Sequence, residues 1–145
     1  MTTTWLPPAT PRRPAAEPNT EAIEAARRRA RLEERIHFDF DRADLSSGAM
    51  HILSVKSDIM RRETAVRLRI EGHADERGSD EYNLALGNRR AAAAKRYLVQ
   101  QGINPDRLEV ASYGEEQPVD TGHNEAAWAA NRRGEFRVMT SISGR

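Results

Sequence analysis

The chain has 145 residues, 38% hydrophobic and 31% charged, with a net charge of +1, which suits one folded domain plus a polar extension and leaves no material for a second core. There is no cysteine, which excludes disulfides, thiolate metal sites, thiol nucleophiles and a lipidated cysteine, and leaves the redox compartment open. Residues 1–35 carry seven arginines against five glutamates, so the arm is +2 and the remainder −1, and neither value is a nucleic-acid footprint.

Residues 1–20 hold five of the seven prolines among threonine and alanine, a composition that cannot bury enough apolar surface to offset its ordering entropy, and they read as a disordered linker. The N-terminus lacks the basic-then-apolar order of a signal peptide, and the longest apolar run falls far short of the roughly 18 residues that cross a bilayer. No export signal, anchor or membrane span is therefore expected. Residues 21–35 are rich in helix formers, but their apolar residues are mostly alanine and Arg27 to Arg29 face several directions, which predicts a solvated, charged helical arm. A basic arm touching anionic lipid or polymer is the sharper alternative.

The folded part is expected over residues 36–140, with 141–145 as a tail. Ile36, Phe38 and Phe40 alternate with His37 and Asp39, a half-buried strand ending at Asp41. Leu45, Ala49, Ile52, Leu53, Ile59 and Met60 recur at helical spacing behind a cap at Asp44 or Ser46, with Lys56 in the middle of the apolar face, where it is expected to snorkel. A strand follows from Arg67 to His73, then a polar loop, where Gly78 supplies the freedom for a turn. Ser79 then caps a helix with Asp80 and Glu81 at its positive end and no proline before Pro105. After a stop at Gln101-Gly102 come a strand from Leu108 to Ser112, a loop from Pro118 to Asn124, a short helix within Glu125 to Arg132 anchored in the core by Trp128, and a last strand from Glu135 to Met139. The order β-α-β-α-β-α-β predicts an α/β sandwich with the helices packed on one sheet.

The chemistry is concentrated between Ile70 and Ala91. Leu84, Gly87, Ala91, Ala94 and Leu98 form a stripe at roughly 100° per residue, which puts Arg89 in water and Arg90 on the flank beside Asn83, pointing along the surface towards Asp75. An aspartate and an arginine placed close together can read a zwitterion, carboxylate to ammonium and guanidinium fork to carboxylate. Asn131 is expected to brace its loop, and one of Arg132 and Arg133 to reach the pocket edge.

The series GHADERG, EYN, LGNRRA, SYGEEQP, GHNEAAW and NRR, in order between Ile36 and Val138, resembles the peptidoglycan-associated lipoprotein (Pal) branch of the OmpA-like C-terminal domains. The resemblance implies a mixed sheet and non-catalytic, non-covalent binding of the cell-wall peptide stem through meso-diaminopimelate, whose free side-chain end carries both ammonium and carboxylate. It also implies a periplasmic place at the outer membrane and docking to TolB in the Tol-Pal system of the dividing envelope. The ligand residues it suggests are Asp75 and Arg90, with Phe40 and Asp41 at the rim; Asn83, Arg77 and Arg132 are further candidates, the choice between Arg132 and Arg133 being open. Glu76 and Arg77, pointing out of the loop, are the candidates for protein contact. A stator-type or porin-type wall anchor and a protein-only interaction module are the alternatives. His37, His51 and His123 show no ligand spacing with His73 and Asp75, and no nucleophile motif is present, so no metal, cofactor or catalysis is expected.

Overall fold

Ser46, Ser79 and Asn124 each accept a hydrogen bond from the backbone amide three residues ahead, so three helices begin where their capping side chains replace the missing intrahelical partners. The computed structural model describes Thr4 and residues 19–140; the linker reading of residues 1–20 and the tail fall almost wholly outside them. The elements in chain order are α1 Thr20–Leu32, β1 Ile36–His37, α2 Ser47–Arg62, β2 Leu68–His73, α3 Asp80–Gln100, a 3-10 turn Pro105–Arg107, β3 Leu108–Gly114, α4 Glu125–Asn131 and β4 Arg133–Val138. The sheet order is β1-β4-β2-β3, with β2 and β3 parallel and the other two pairings antiparallel. This is the expected α/β architecture on a mixed sheet.

Strand alternation builds the core. Leu68 and Ile70 of β2 stand opposite Leu108 and Val110 of β3 and Val138 and Phe136 of β4, and join Leu53 and Met60 of α2 and Ala91, Ala94 and Leu98 of α3 in one apolar cluster. The two central elements meet backbone to backbone: a β-carbon on Gly87 would lie 2.8 Å from the Gly72 carbonyl oxygen, so only glycine fits there. On the other face of β2, Glu71 is held by Arg137 at 3.0 Å and lies near Arg69.

Four expectations are corrected. The first strand stops at His37 rather than running to Phe40, because Arg42 turns back to donate to the Asp39 carbonyl at 3.2 Å and Asp41 takes a left-handed φ of 57°. Phe38 stays in the core, but Phe40 is 55% exposed. The buried face of α3 comprises Asn83, Leu86, Gly87, Arg90, Ala91, Ala94 and Leu98, with Leu84 on its exposed side. The stripe is therefore rotated by about half a residue step at roughly 100° per residue, and Arg90 falls inside it.

Lys56 does not snorkel. It is fully buried, donates to the carbonyls of Arg31 and Leu32 at 2.9 Å and of Glu34 at 2.6 Å, and lies 4.1 Å above the Phe136 ring. Burial pushes its pKa down from 10.5 to about 7, against the pull of Glu34 and Glu33. The ammonium thus closes the C-terminus of α1, where carbonyls lack partners and the helix dipole favours a cation. Consequently the arm is not wholly solvated: the last residue of α1, Leu32, is fully buried, which stabilises docking by about 1.5–3 kcal/mol, and Arg28 pairs at 3.0 Å with Glu63, which follows α2.

Candidate ligand-binding site

The site grows from the end of β2, where the register shifts between Gly72 and His73 and the Ala74 amide bonds to the Gly114 carbonyl at 2.8 Å. Asp75 leaves the sheet there, and its Oδ1 accepts the Arg77 backbone amide at 2.9 Å, an Asx turn. Gly78 completes the reversal at a φ of 101°, and Ser79 opens α3. One turn into α3, the Asn83 amide donates to the Asp75 carbonyl at 3.2 Å and to Glu115 at 3.0 Å, tying the loop after β2 to the loop after β3.

Asp75 is only 4% exposed. Besides the backbone amide it accepts both prongs of the Arg77 guanidinium, Nε at 3.2 Å and Nη2 at 2.8 Å, and Arg132 Nη1 approaches at 3.7 Å. Burial raises the Asp75 carboxyl, but the Arg77 hydrogen bonds, ahead of the Arg77 and Arg132 charges, outweigh it and hold the group below the usual carboxylate range. A cavity of about 420 Å³ opens at this point, lined among others by Phe40, Asp41, Asp75, Arg77, Tyr82 and Asn83. Tyr82 donates its hydroxyl to Asp41. A larger hollow of about 850 Å³, lined by His37, Asp39, Arg42, Ser46 and Arg132 among others, shares no residue with it; the smaller one holds the buried carboxylate and is the candidate site.

Arg90 is not on the surface. It is fully buried, with Nε donating to the Arg42 carbonyl at 2.8 Å, Nη1 to His73 at 2.8 Å and Nη2 to Asp39 at 3.1 Å. Burial pushes its pKa down from the usual guanidinium range to about 10. Arg90 thus ties the end of β2 to the turn that carries Phe40 and Asp41, and it makes no ion pair with Asp75. Of the two neighbouring arginines, Arg132 is the nearer to Asp75: Nε donates to the Phe38 carbonyl at 2.9 Å, Nη2 to Glu125 at 3.1 Å, and Nη1 has no acceptor. Arg133 turns instead to Glu135 and the Gln117 carbonyl. Asn131 braces its loop, accepting from the Val119 and Asp120 amides and donating to the Asp120 carbonyl.

Two further expectations are corrected here. Arg77 does not point out of the loop: its guanidinium lies 3.9 Å from the Phe40 ring centre and 4.2 Å from that of Trp128. Trp128 is not a core anchor; Ala127 takes that place, and the half-buried indole stacks on Arg77 and donates to Glu76 at 3.1 Å. Glu76 is exposed, and it also holds His123 Nδ1 at 2.7 Å; both bonds lower its pKa, His123 more than Trp128. Trp128 and Tyr82 sit in the motifs GHNEAAW and EYN, but their side chains alone do not distinguish a pocket wall from a core.

One grouping has no sequence signal at all. Glu71, His73 and Glu135 bring ligand atoms within 4.8 Å of one another. Arg137 occupies Glu71, while Arg35 and Arg133 occupy Glu135 at 3.0 Å and 2.8 Å, so a divalent cation would have to displace guanidinium groups that already neutralise both carboxylates. Among the described residues no helix is long and apolar enough to cross a membrane.

A profile of the OmpA family matches residues 37–132, the stretch from β1 to the end of α4. The peptidoglycan-associated lipoproteins of Pseudomonas aeruginosa and Pseudomonas putida are each 50% identical over 101 residues, which is 70% of this chain and 60% of theirs; the chain thus spans about 60% of the length of these curated relatives. Among solved structures, the peptidoglycan-associated lipoprotein of Burkholderia pseudomallei superposes with a TM-score of 0.72 at 36% identity, covering 74% of this chain and 91% of that one. The C-terminal domain of Helicobacter pylori MotB shares the fold at a TM-score of 0.70 and 20% identity, covering 77% of this chain and 88% of that one. By the extent of the profile match and the agreement of the fold, the chain belongs to the OmpA family.

Proposed function

We propose that this chain is a non-catalytic wall anchor that binds the peptide stem of peptidoglycan through meso-diaminopimelate and ties the outer envelope to the wall from the periplasm. The observation that carries the reading is the buried Asp75 carboxylate in the wall of a 420 Å³ cavity, with the buried Arg132 guanidinium 3.7 Å from it. Asp75 takes the ammonium of the distal diaminopimelate centre. A guanidinium has five N–H donors; Arg90 spends three on carbonyls and Arg132 keeps Nη1 unpaired, so the two together supply donors for the distal carboxylate. Asn83 and Asp41 set the polar edge, and Phe40 and Tyr82 cover the apolar stem of the ligand. The peptidoglycan-associated lipoproteins among its relatives support the coarser part of this reading, a place at the peptidoglycan. Glu76 and Arg77 lie at the mouth of this cavity, where a TolB-like partner in a Tol-Pal system would compete with the wall.

The test compares two stem peptides by calorimetry, one with meso-diaminopimelate and one with lysine in its place. Lysine lacks the distal carboxylate and leaves a charge-assisted hydrogen bond unmade, which costs about 1.5–3 kcal/mol, roughly ten- to a hundredfold in affinity. Equal affinities refute the zwitterion reading; no binding of either peptide favours a module that binds only protein.

A further inference from the structure

We propose that Phe40, Trp128 and Asp75 form a cation cage whose resident in the free protein is Arg77, and that the ammonium of the ligand enters by displacing that guanidinium. The inference rests on the wall-binding reading for the identity of the incoming ammonium, but the cage itself stands on geometry. The guanidinium carbon of Arg77 lies between two aromatic faces, 3.9 Å from the Phe40 ring centre and 4.2 Å from that of Trp128. Its Nε and Nη2 take both oxygens of Asp75. Two aromatic faces closed by a carboxylate make the arrangement that recognises organic ammonium ions, because each ring presents its negative quadrupole to the cation.

The walls differ in stiffness. Trp128 is fixed through its indole N–H to Glu76, which also holds His123, and Asp75 is pinned by its bonds to the Arg77 backbone and by burial. Phe40 is 55% exposed, so it is the wall free to move. An ionised carboxylate offers about four acceptor positions. Three are filled from within residue 77, by the backbone amide, Nε and Nη2, and Arg132 approaches from a further side at 3.7 Å. An incoming ammonium therefore reaches Asp75 only where the Arg77 side chain now sits. Arg77 is held by bonds that a ligand ammonium can reproduce, and its backbone amide stays bonded to Asp75 whether the side chain is in or out. The apparent affinity of the site is then its intrinsic affinity multiplied by the fraction of molecules in which Arg77 has left, so Arg77 sets a threshold that only a ligand satisfying the whole cage exceeds. A neutral group at the same position is excluded, because it cannot replace the cation between the rings.

The experiment uses the full chain, a meso-diaminopimelate stem peptide, and Arg77→Gln, which keeps a polar side chain without the charge. The expected result is that Arg77→Gln binds the peptide roughly tenfold more tightly than the wild type. In the wild type, the Arg77 Nε–H resonance, shifted by the two rings, moves to the free-arginine position as the peptide saturates. Equal or weaker binding by Arg77→Gln overturns the proposal, since Arg77 would then be a bystander or a ligand contact; so does an Nε–H resonance that stays in place while the peptide binds, a measurement that stands even where the variant fails to fold. A second arm needs no wall fragment: methylguanidinium at millimolar concentration should refill the emptied cage of Arg77→Ala and raise its melting temperature, with no effect on the wild type. Protection of Arg77→Ala without binding of the peptide to the wild type keeps the cage and removes the wall reading; absence of protection removes the cage.

Discussion

Replacing Arg90 by alanine tests whether this residue holds the site together. The wild-type guanidinium makes three hydrogen bonds to backbone carbonyls, at 2.8, 2.8 and 3.1 Å, and hydrogen bonds to a charged donor contribute about 1.5–3 kcal/mol each. Burial opposes them: it is the largest cause that lowers the pKa to about 10, a net penalty on the charged form of about 3 kcal/mol. The difference, with the void left by a fully buried side chain, puts the loss for Arg90→Ala at about 4 kcal/mol, in the upper tail of single substitutions. Arg90→Lys keeps the charge but cannot reach three divergent carbonyls from one nitrogen, and is expected to lose about 2 kcal/mol. Arg89 is exposed and lies 5.7 Å over the Tyr82 ring, so Arg89→Ala should cost less than about 1 kcal/mol. Urea unfolding followed by circular dichroism measures all three, with an unchanged slope as the check that the unfolded state is the same. A loss below about 1 kcal/mol for Arg90→Ala, or equal losses for the two alanine variants, would refute the claim that Arg90 clasps the loop. The result also governs how binding data are read, since weak wall binding by Arg90→Ala reports a lost contact only at temperatures where the variant is folded.

Two further outcomes follow from buried contacts. Burial, ahead of the Arg133 charge, pushes the His73 pKa down from 6.5 to about 4; between those values the unfolded chain holds a proton that the folded chain does not, so stability is full above pH 6.5 and falls by up to about 3 kcal/mol as the pH drops to 4. His73→Phe, which keeps the stack on Tyr113 at 5.5 Å, should flatten that limb in urea titrations at a series of pH values, and an unchanged limb would place its origin elsewhere. Gly87→Ala drives a methyl group against Ser112 Oγ and to 2.8 Å from the Gly72 carbonyl oxygen, forcing α3 off β2 at a cost of about 2–3 kcal/mol; a melting temperature equal to the wild type would show that the two backbones are not in contact.

The elements were legible because their signals are local. Ser46 and Ser79 cap the helices they were expected to cap, the alternation of Leu68 and Ile70 places β2, and the β-α order fixes the layers. The rim of the site was less legible. Phe40 continues an apolar alternation, yet it faces out because Asp41 takes a left-handed backbone, which a single aspartate does not announce. Trp128 reads as core by its size, whereas its N–H needs a partner and finds one at the surface in Glu76. The α3 stripe was displaced for a tertiary reason: Arg90 reaches the turn after β1 and Asn83 the loops after β2 and β3, so both are covered from a side that periodicity cannot show.

The same limit applies to three of the buried cations, Lys56, Arg90 and Arg132, and to the half-buried Arg107, and it has a common physical cause. Lys56 closes the carbonyls at the end of α1; Arg107 takes those of Met60 and Glu63 at the end of α2 and of Val66 before β2; Arg90 takes those after β1 and β2, and Arg132 the one at Phe38. Each sits where an element has ended and its last carbonyls have no backbone donor, which is where several donors on one side chain satisfy the most acceptors. Composition does not separate a solvated arginine from an arginine of this kind, and helical phase places Arg90 only on a flank, because what fixes its role is the position of carbonyls far away in sequence. Arg132 satisfies its carbonyl and still leaves Nη1 without an acceptor, 3.7 Å from Asp75, so a side chain recruited to close the end of a strand keeps a donor to spare.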